Sequence, residues 1–561
     1  MFSRIAAISL LAAAFEPSIA AFADYNFDIR NVNAAPDGFQ RSVVSVNGQL
    51  PGTLIKANKG DTLRINVTNS VLNLTSFFKQ PTQMPQSVAY GPINASSDYN
   101  PLAWAGTPRY PLGPQTCTNT SQFQATTADE DVTQCPISQN QSYTYEIPLH
   151  DQTGTFWYHS HLASQYVDGL RGPSTALDPN DPQKNLYDVD DENTVVVLED
   201  WYHTPAPTLE KQMFSTNNTQ LLSPVPDSAL INGKGRYVGG PTVQRSRINV
   251  TKGKKYRLRV INASAIGSFT FSIEGHNLTI IEADGIAHRP WTVGSFQIFA
   301  GQRYSVVVEA NQALANYWIR APMTVAGAGT NANLDPTDVF AVLHYDGAPD
   351  AEPTTEQGTA SGLALLESDL HALENPGAPG GSAPADVSLN LAIGRSTVDG
   401  ILRFTFNGIK YESPSLPTLL KILANNATND SDFTQSEHTI VLPHNKVIQL
   451  NITGGADHPI HLHGHAFDVV QSLGQTTPNY VDPPRRDVVR VSSTGVVLRF
   501  RTDNPGPWFV HCHIDWHLEA GLAVVFAEAP NEIRQGAQSV QPNQAWNQLC
   551  PKYQALPADL Q

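Results

Sequence analysis

Cysteine is scarce, four among 561 residues, so this chain is not a small disulfide scaffold. Positive charge is in deficit as well: 35 lysines and arginines stand against 51 aspartates and glutamates, a formal net charge of −16. That balance argues against a nucleic-acid partner, because a phosphate backbone demands a concentrated basic surface. A membrane span is missing too. The apolar run from Ile5 to Phe15, behind Arg4, is too short to cross a bilayer and leads to Ala21-Phe22-Ala23. It reads as a secretory signal over residues 1–23, cleaved before Asp24, so the expected location is extracellular. Histidine is absent before His150, although the chain has 17.

What is present points to several β-rich domains. The length exceeds what one hydrophobic core supports. A content of 40% hydrophobic and 15% charged residues with 41 prolines describes a folded, loop-rich chain. Three stretches alternate apolar and polar residues, as half-buried strands do: "LRINVTN" from Leu63, "YRLRVIN" from Tyr256 and "IQLNITG" from Ile448. They recur at intervals of 193 and 192 residues. A second series, "FWYHSH" from Phe156, "YWIRAP" from Tyr317 and "WFVHCH" from Trp508, follows in the same order. Two series in register imply an internal repeat. The expectation is an all-β chain of three sandwich domains, 24–172, 173–345 and 346–561, with "NPGAPGGSAPAD" from Asn375 as a loop near the start of the third. Seven Asn-x-Ser/Thr triplets, at Asn66, Asn73, Asn217, Asn249, Asn277, Asn426 and Asn451, are glycan acceptors in a secreted chain.

The histidines cluster where the repeat aligns. His159-Ser160-His161 in the first unit corresponds to Arg320-Ala321-Pro322 in the second and His511-Cys512-His513 in the third, so the middle unit is expected to bind no metal there. Side chains alternate along a strand, which turns His511 and His513 one way and Cys512 the other. One strand thereby serves two metal sites. A Cys thiolate joined by two imidazoles is the ligand set of a blue copper centre. His517 is one candidate, and the other comes from "HPIHLHGH", where His458 stands apart from the pair His461 and His463. Zinc accepts Cys and His as well, but the excess of His over Cys and the two His-x-His pairs suit a multinuclear copper site better.

With "WYHSH", "HPIHLHGH" and "HCHIDWHLEAGL" in hand, the chain resembles the multicopper oxidases, and among them the fungal laccases. The resemblance covers nearly all of the mature chain except about residues 71–131. It implies three cupredoxin-like Greek-key sandwiches and four copper ions. Cys512, His458 and His517 would hold the type 1 ion and His461 the type 2 ion. His159, His161, His463, His511 and His513 would hold the type 3 pair. The implied reaction is one-electron oxidation of phenols and aromatic amines, coupled to reduction of dioxygen to water, in lignin or phenolic breakdown. The protein would act as a monomer, with no membrane and no nucleic acid. Ferroxidase and ascorbate oxidase are alternatives within the class. Leu522 falls at the axial position and, lacking a sulfur donor, would raise the type 1 potential. Cys135 and Cys550 match a disulfide of the family.

The same resemblance exposes departures. The family's first-domain His-x-His-Gly motif is missing, and the place where it should fall reads Thr118-Asn119-Thr120-Ser121. The aperiodic stretch from Ser76, which also holds Cys117, reads either as an altered splice or gene model or as an extended surface loop. The first is preferred, since losing two cluster ligands while keeping six makes little sense for a native oxidase. Taken literally, the sequence leaves a non-catalytic copper carrier as the alternative function. Val167 and Ala265 replace a second disulfide, and Ile266 replaces an acid that accepts the phenol proton. Asp129, Glu130 and Asp131 read as an acidic surface loop that could otherwise relay protons.

Overall fold

All three alternating stretches are strands, Thr62–Asn69, Lys255–Asn262 and Val447–Thr453. The first buries every second side chain without exception, as the period-2 pattern demands, whereas the middle one is buried on both faces. The computed structural model describes residues 21–71, 132–355, 362–535, 539–540 and 542–556. The signal segment through residue 20, Asn73, Cys117, Thr118 to Ser121 and the acidic triplet Asp129 to Asp131 lie outside the described residues.

The repeat extends to strand pairing. Each alternating strand has a parallel neighbour on one side: Phe22–Ala34, Val195–Trp201 and Val387–Val398 respectively. Each has an antiparallel neighbour on the other: Ser142–Pro148, Arg303–Glu309 and Val496–Arg501. A second sheet in each unit repeats as well. Ile55–Asn58 runs parallel to Arg171–Leu177, Arg247–Val250 to Phe340–Tyr345, and Thr439–Leu442 to Ala523–Glu528. The strand carrying the second motif series lies antiparallel beside it each time: Gly154–His159, Asn316–Arg320 and Gly506–Cys512. Strands far apart in sequence thus lie side by side in parallel, which a simple meander does not produce and which needs crossover connections between strands. The fold is three cupredoxin-like β-sandwiches, and helices are short.

Pairing refines the expected boundaries. Among the described residues Arg171–Leu177 pairs with first-unit strands alone, so a boundary after residue 172 would cut it, and the first sandwich extends to Leu177. Beyond Tyr345 the chain stays on the second unit, bridging Ser295 to Ala364 and His288 to Ala372. The Gly/Pro-rich loop then crosses to the third unit, where the Arg499 guanidinium donates to the Gly381 carbonyl at 2.6 Å and Ala378 N–H donates to the Tyr480 carbonyl at 3.0 Å.

Buried ion pairs lock the three units together. Arg303 of the second holds Asp487 of the third through two bonds, 2.6 and 2.8 Å, and Arg486 holds Asp284 at 2.8 Å. Arg171 of the first reaches Glu199 at 2.8 Å and the Ala263 carbonyl at 2.6 Å. Cys135 and Cys550 are joined by a disulfide that ties the first sandwich to the helix Leu549–Gln554. Val167 and Ala265 are both fully buried and belong to one apolar cluster.

Candidate metal centres

Register sorts the histidines of "HPIHLHGH" into two sets. In the strand His458–Leu462, Ile460 sits opposite Cys512 and His461 opposite His511. Side chains two apart share a face, so His458 falls on the Cys512 face and His461 on the His511 face. The strand Gly506–Cys512 ends at Cys512, and after a bend the short helix Asp515–Glu519 turns His517 back. Its imidazole returns to the thiol: Cys512 Sγ lies 3.6 Å from His458 Nδ1 and 3.7 Å from His517 Nδ1, and the two nitrogens are 3.1 Å apart.

This trio is buried in the largest apolar cluster, with Ile460, Phe404, Ile514 and Leu522 around it. The Phe404 ring lies 4.3 Å from that of His517. Burial pushes the Cys512 thiol up and holds His458 down at about 4, with the Arg395 guanidinium adding to the latter. Two neutral imidazoles and a thiol aimed at one point in an apolar shell are satisfied by a soft cation that displaces the thiol proton. The donor set therefore fits copper. Leu522 is fully buried, and its backbone brackets the site, accepting from Cys512 N–H at 3.1 Å and donating to the His517 carbonyl at 3.0 Å.

The other face of the same strands builds a second centre. His161, His463 and His511 each offer a ring nitrogen, all within 4.8 Å of one another. His463 Nε2 and His511 Nε2 are 3.0 Å apart. His159, His461 and His513 surround this trio, with ring centroids 5.2 Å from His159 to His161, 4.5 Å from His461 to His463 and 5.6 Å from His513 to His511. Six imidazoles from the first and third sandwiches thus meet across one interface. Backbone carbonyls hold several by Nδ1, Ser160 for His159 at 2.9 Å, Asp487 for His461 at 2.9 Å and Cys512 for His511 at 3.0 Å. Such contacts fix the tautomer and turn Nε2 towards the centre. Burial, reinforced by the mutual repulsion of neighbouring imidazoles, pushes His161 and His463 far down, so they stay neutral and ready to ligate.

Several residues that shape this centre are not singled out by the sequence, although Trp157, Gly464 and Asp515 lie inside its histidine motifs. Gly301 of the second sandwich has φ +83°, and a Cβ there would come within 2.3 Å of the His513 ring. Gly464, at φ +78°, lets the Trp508 indole close over its backbone. The Trp157 ring stacks on His159 at 4.2 Å. Burial raises Asp487 to about 6 despite its pairing with Arg303. Burial, then the Glu210 and Asp200 carboxylates, push Asp515 far up.

Two hollows border this centre, and the smaller is lined by its imidazoles. A slot of ≈ 10 Å³, room for about one water, is lined by His159, His161, His511, His513 and Asp515. A cavity of ≈ 350 Å³ at the junction of the three sandwiches includes Asp487 in its wall. In the second sandwich Arg320 stands where the others place histidine, its guanidinium over the Phe340 ring at 5.3 Å.

The chain matches the multicopper oxidase family over residues 28–120 and 121–181, 192–348 and 411–532. Laccase-4 of Thanatephorus cucumeris is 72% identical over 530 residues, covering 93% of each chain. Laccase-2 of Agaricus bisporus is 44% identical over 561 residues, covering 99% of each. Among solved structures, the laccase from Botrytis aclada superposes with a TM-score of 0.75 at 28% identity, over 96% of this chain and 92% of that one. Fet3p, a multicopper oxidase that functions in iron import, gives 0.77 at 25% identity, over 96% and 98%.

Proposed function

The chain belongs to the multicopper oxidase family and is a copper oxidoreductase of the laccase kind, and from that premise we infer how its residues divide the work. Cys512, His458 and His517 would hold the type 1 copper, His461 is the chain's candidate for the type 2 position, and His159, His161, His463, His511 and His513 are its candidates for the type 3 positions. Copper held by these residues would supply one-electron chemistry, with dioxygen as the final acceptor and water as the product. One observation carries the assignment: Cys512 points into a thiolate site while the imidazoles of its chain neighbours His511 and His513 stand in the other.

The chain's own groups do the rest. Peptide bonds on both sides of Cys512, together with the His511 Nδ1 contact to the Cys512 carbonyl, give electrons a short covalent and hydrogen-bonded path. Leu522 and Phe404 keep water from the thiolate. Ile266, whose N–H donates to the Asp200 carboxylate at 2.8 Å, offers a donor phenol no base, so its proton leaves to solvent. The substrates are phenols and aromatic amines, as in phenolic or lignin breakdown. The chain works as an extracellular monomer, and no helix among the described residues is long and apolar enough to cross a membrane. Asn217, Asn249, Asn277 and Asn426 are exposed as glycan acceptors must be, while the Asn451 amide donates to Asn390 at 2.9 Å.

Oxygen uptake by the copper-loaded chain decides the matter, measured with a dimethoxyphenol, ferrous iron and ascorbate in parallel. Phenol-dependent uptake that exceeds the other two is expected. Preference for iron or ascorbate would move the chain to a ferroxidase or an ascorbate oxidase. A blue, copper-bearing chain with no uptake on any donor would leave an electron carrier, a second reading favoured by the six imidazoles of the cluster.

A further inference from the structure

The family's cluster calls for eight imidazoles, and this chain has six to give. All 17 histidines are among the described residues, so each has a place. Two serve Cys512, six form the cluster, and the others are engaged or positioned elsewhere: His465 with Glu528 at 2.7 Å, His203 with Asp37 at 2.8 Å and His276 with Tyr345 at 2.6 Å are examples. Residues 72–131 contain no histidine.

The shortfall is not spread evenly. His161, His463 and His511 converge as a complete three-nitrogen set, as His458, Cys512 and His517 do on the opposite face. His159, His461 and His513 form no such trio among the described residues. Their rings are only slightly farther apart, 5.4 Å from His159 to His513 and 5.8 Å from His461 to His513 against 5.1 to 5.3 Å within the trio, so it is the direction of the ring nitrogens that separates the two sets. Three neutral imidazoles form a strong site for a borderline cation such as copper, while one or two form a weak one. A second dication a few ångströms from the first also meets strong repulsion unless a bridging anion and its own ligands offset it.

We propose that this chain loads copper unequally: one ion at Cys512, His458 and His517, a second, magnetically isolated ion at His161, His463 and His511, and none held firmly by His159, His461 and His513. The proposal rests on the copper-oxidase reading above and narrows it: of the cluster positions named there, those of His159, His461 and His513 stay weakly held for want of the two further imidazoles. An isolated ion has no partner to cancel its spin, so the second copper shows in electron paramagnetic resonance, where a coupled pair is silent.

The full chain, reconstituted with copper and dialysed, tests this by elemental analysis and spin quantitation. The expected result is about two copper ions per chain, essentially all of them visible as spin. His161→Ala should lower the count to about one and leave the blue band of the Cys512 site, whereas His461→Ala should leave the count unchanged. Four ions with about half the spin missing would overturn the proposal while upholding the copper-oxidase reading. A count that falls in His461→Ala but not in His161→Ala would overturn it too, by placing the second ion elsewhere. No blue band and no bound copper would sink the underlying reading itself. Circular dichroism of each variant separates loss of metal from loss of fold, and the unsubstituted chain decides the stoichiometry by itself.

Discussion

The two candidate centres lie back to back on the same strands, yet they are built in opposite ways. Every candidate ligand of the Cys512 site falls between His458 and His517, in one sandwich, and a single strand pairing sets its register. The imidazole cluster exists only where the first and third sandwiches dock, and the second sandwich props it from behind through Gly301 and through Arg303 on Asp487. The first centre depends on local geometry. The second depends on three units keeping their mutual positions.

Perturbations separate the two. Cys512→Ser should have the largest effect on activity, since it removes a ligand rather than the support of one. The blue band should vanish and phenol turnover fall by more than the roughly 10–100-fold that loss of a supporting contact costs. Its cluster copper should stay, and retention of turnover would refute the thiolate assignment. Arg303→Met strikes the other centre by leaving Asp487 buried without its guanidinium. A stability loss of about 3–5 kcal/mol is expected in a denaturant melt, with cluster copper released before the blue band fades. Simultaneous loss of both signals would mean that the Cys512 site also needs the docked assembly.

Acid tests the interface through Glu282. Burial drives this carboxyl up, but the Arg257 and Arg259 guanidiniums, the Ser305 hydroxyl and the Thr155 N–H outweigh it and hold it at about 2, below its ordinary 4.5. Because the folded value is depressed, its stabilisation is fully present above about pH 4.5 and is lost as the pH falls towards 2. The loss should amount to about 3 kcal/mol. Denaturant melts of the metal-free chain should show it, and Glu282→Gln should flatten the slope. Leu522→Met is the mildest change. It preserves volume, so stability should shift by less than about 1.5 kcal/mol, while a redox titration should find the type 1 potential lowered and the cluster unaffected.

Much of this was legible in the chain. Period-2 alternation at Leu63, Tyr256 and Ile448 marks the strands because a half-buried sheet needs it, and equal spacing reveals the triplication. His511, Cys512 and His513 declare two sites because a strand's faces alternate. The extent of the units was less readable: Arg171–Leu177 belongs to the first sandwich by pairing, which leaves no mark at the expected boundary. Buried Arg303, Asp487 and Gly301 look like ordinary loop and strand residues until docking brings them against the histidines.

The amino-acid order alone thus determined the ligand chemistry, the repeat and the absence of histidine before His150, since composition and local periodicity need no long-range contact. Tertiary structure alone decided which imidazoles converge. Which side chains meet across an interface depends on distances that no sequence pattern encodes, and only the packing of three sandwiches sets them, bringing the ring nitrogens of His161, His463 and His511 within 4.8 Å of one another while His159, His461 and His513 form no such trio among the described residues.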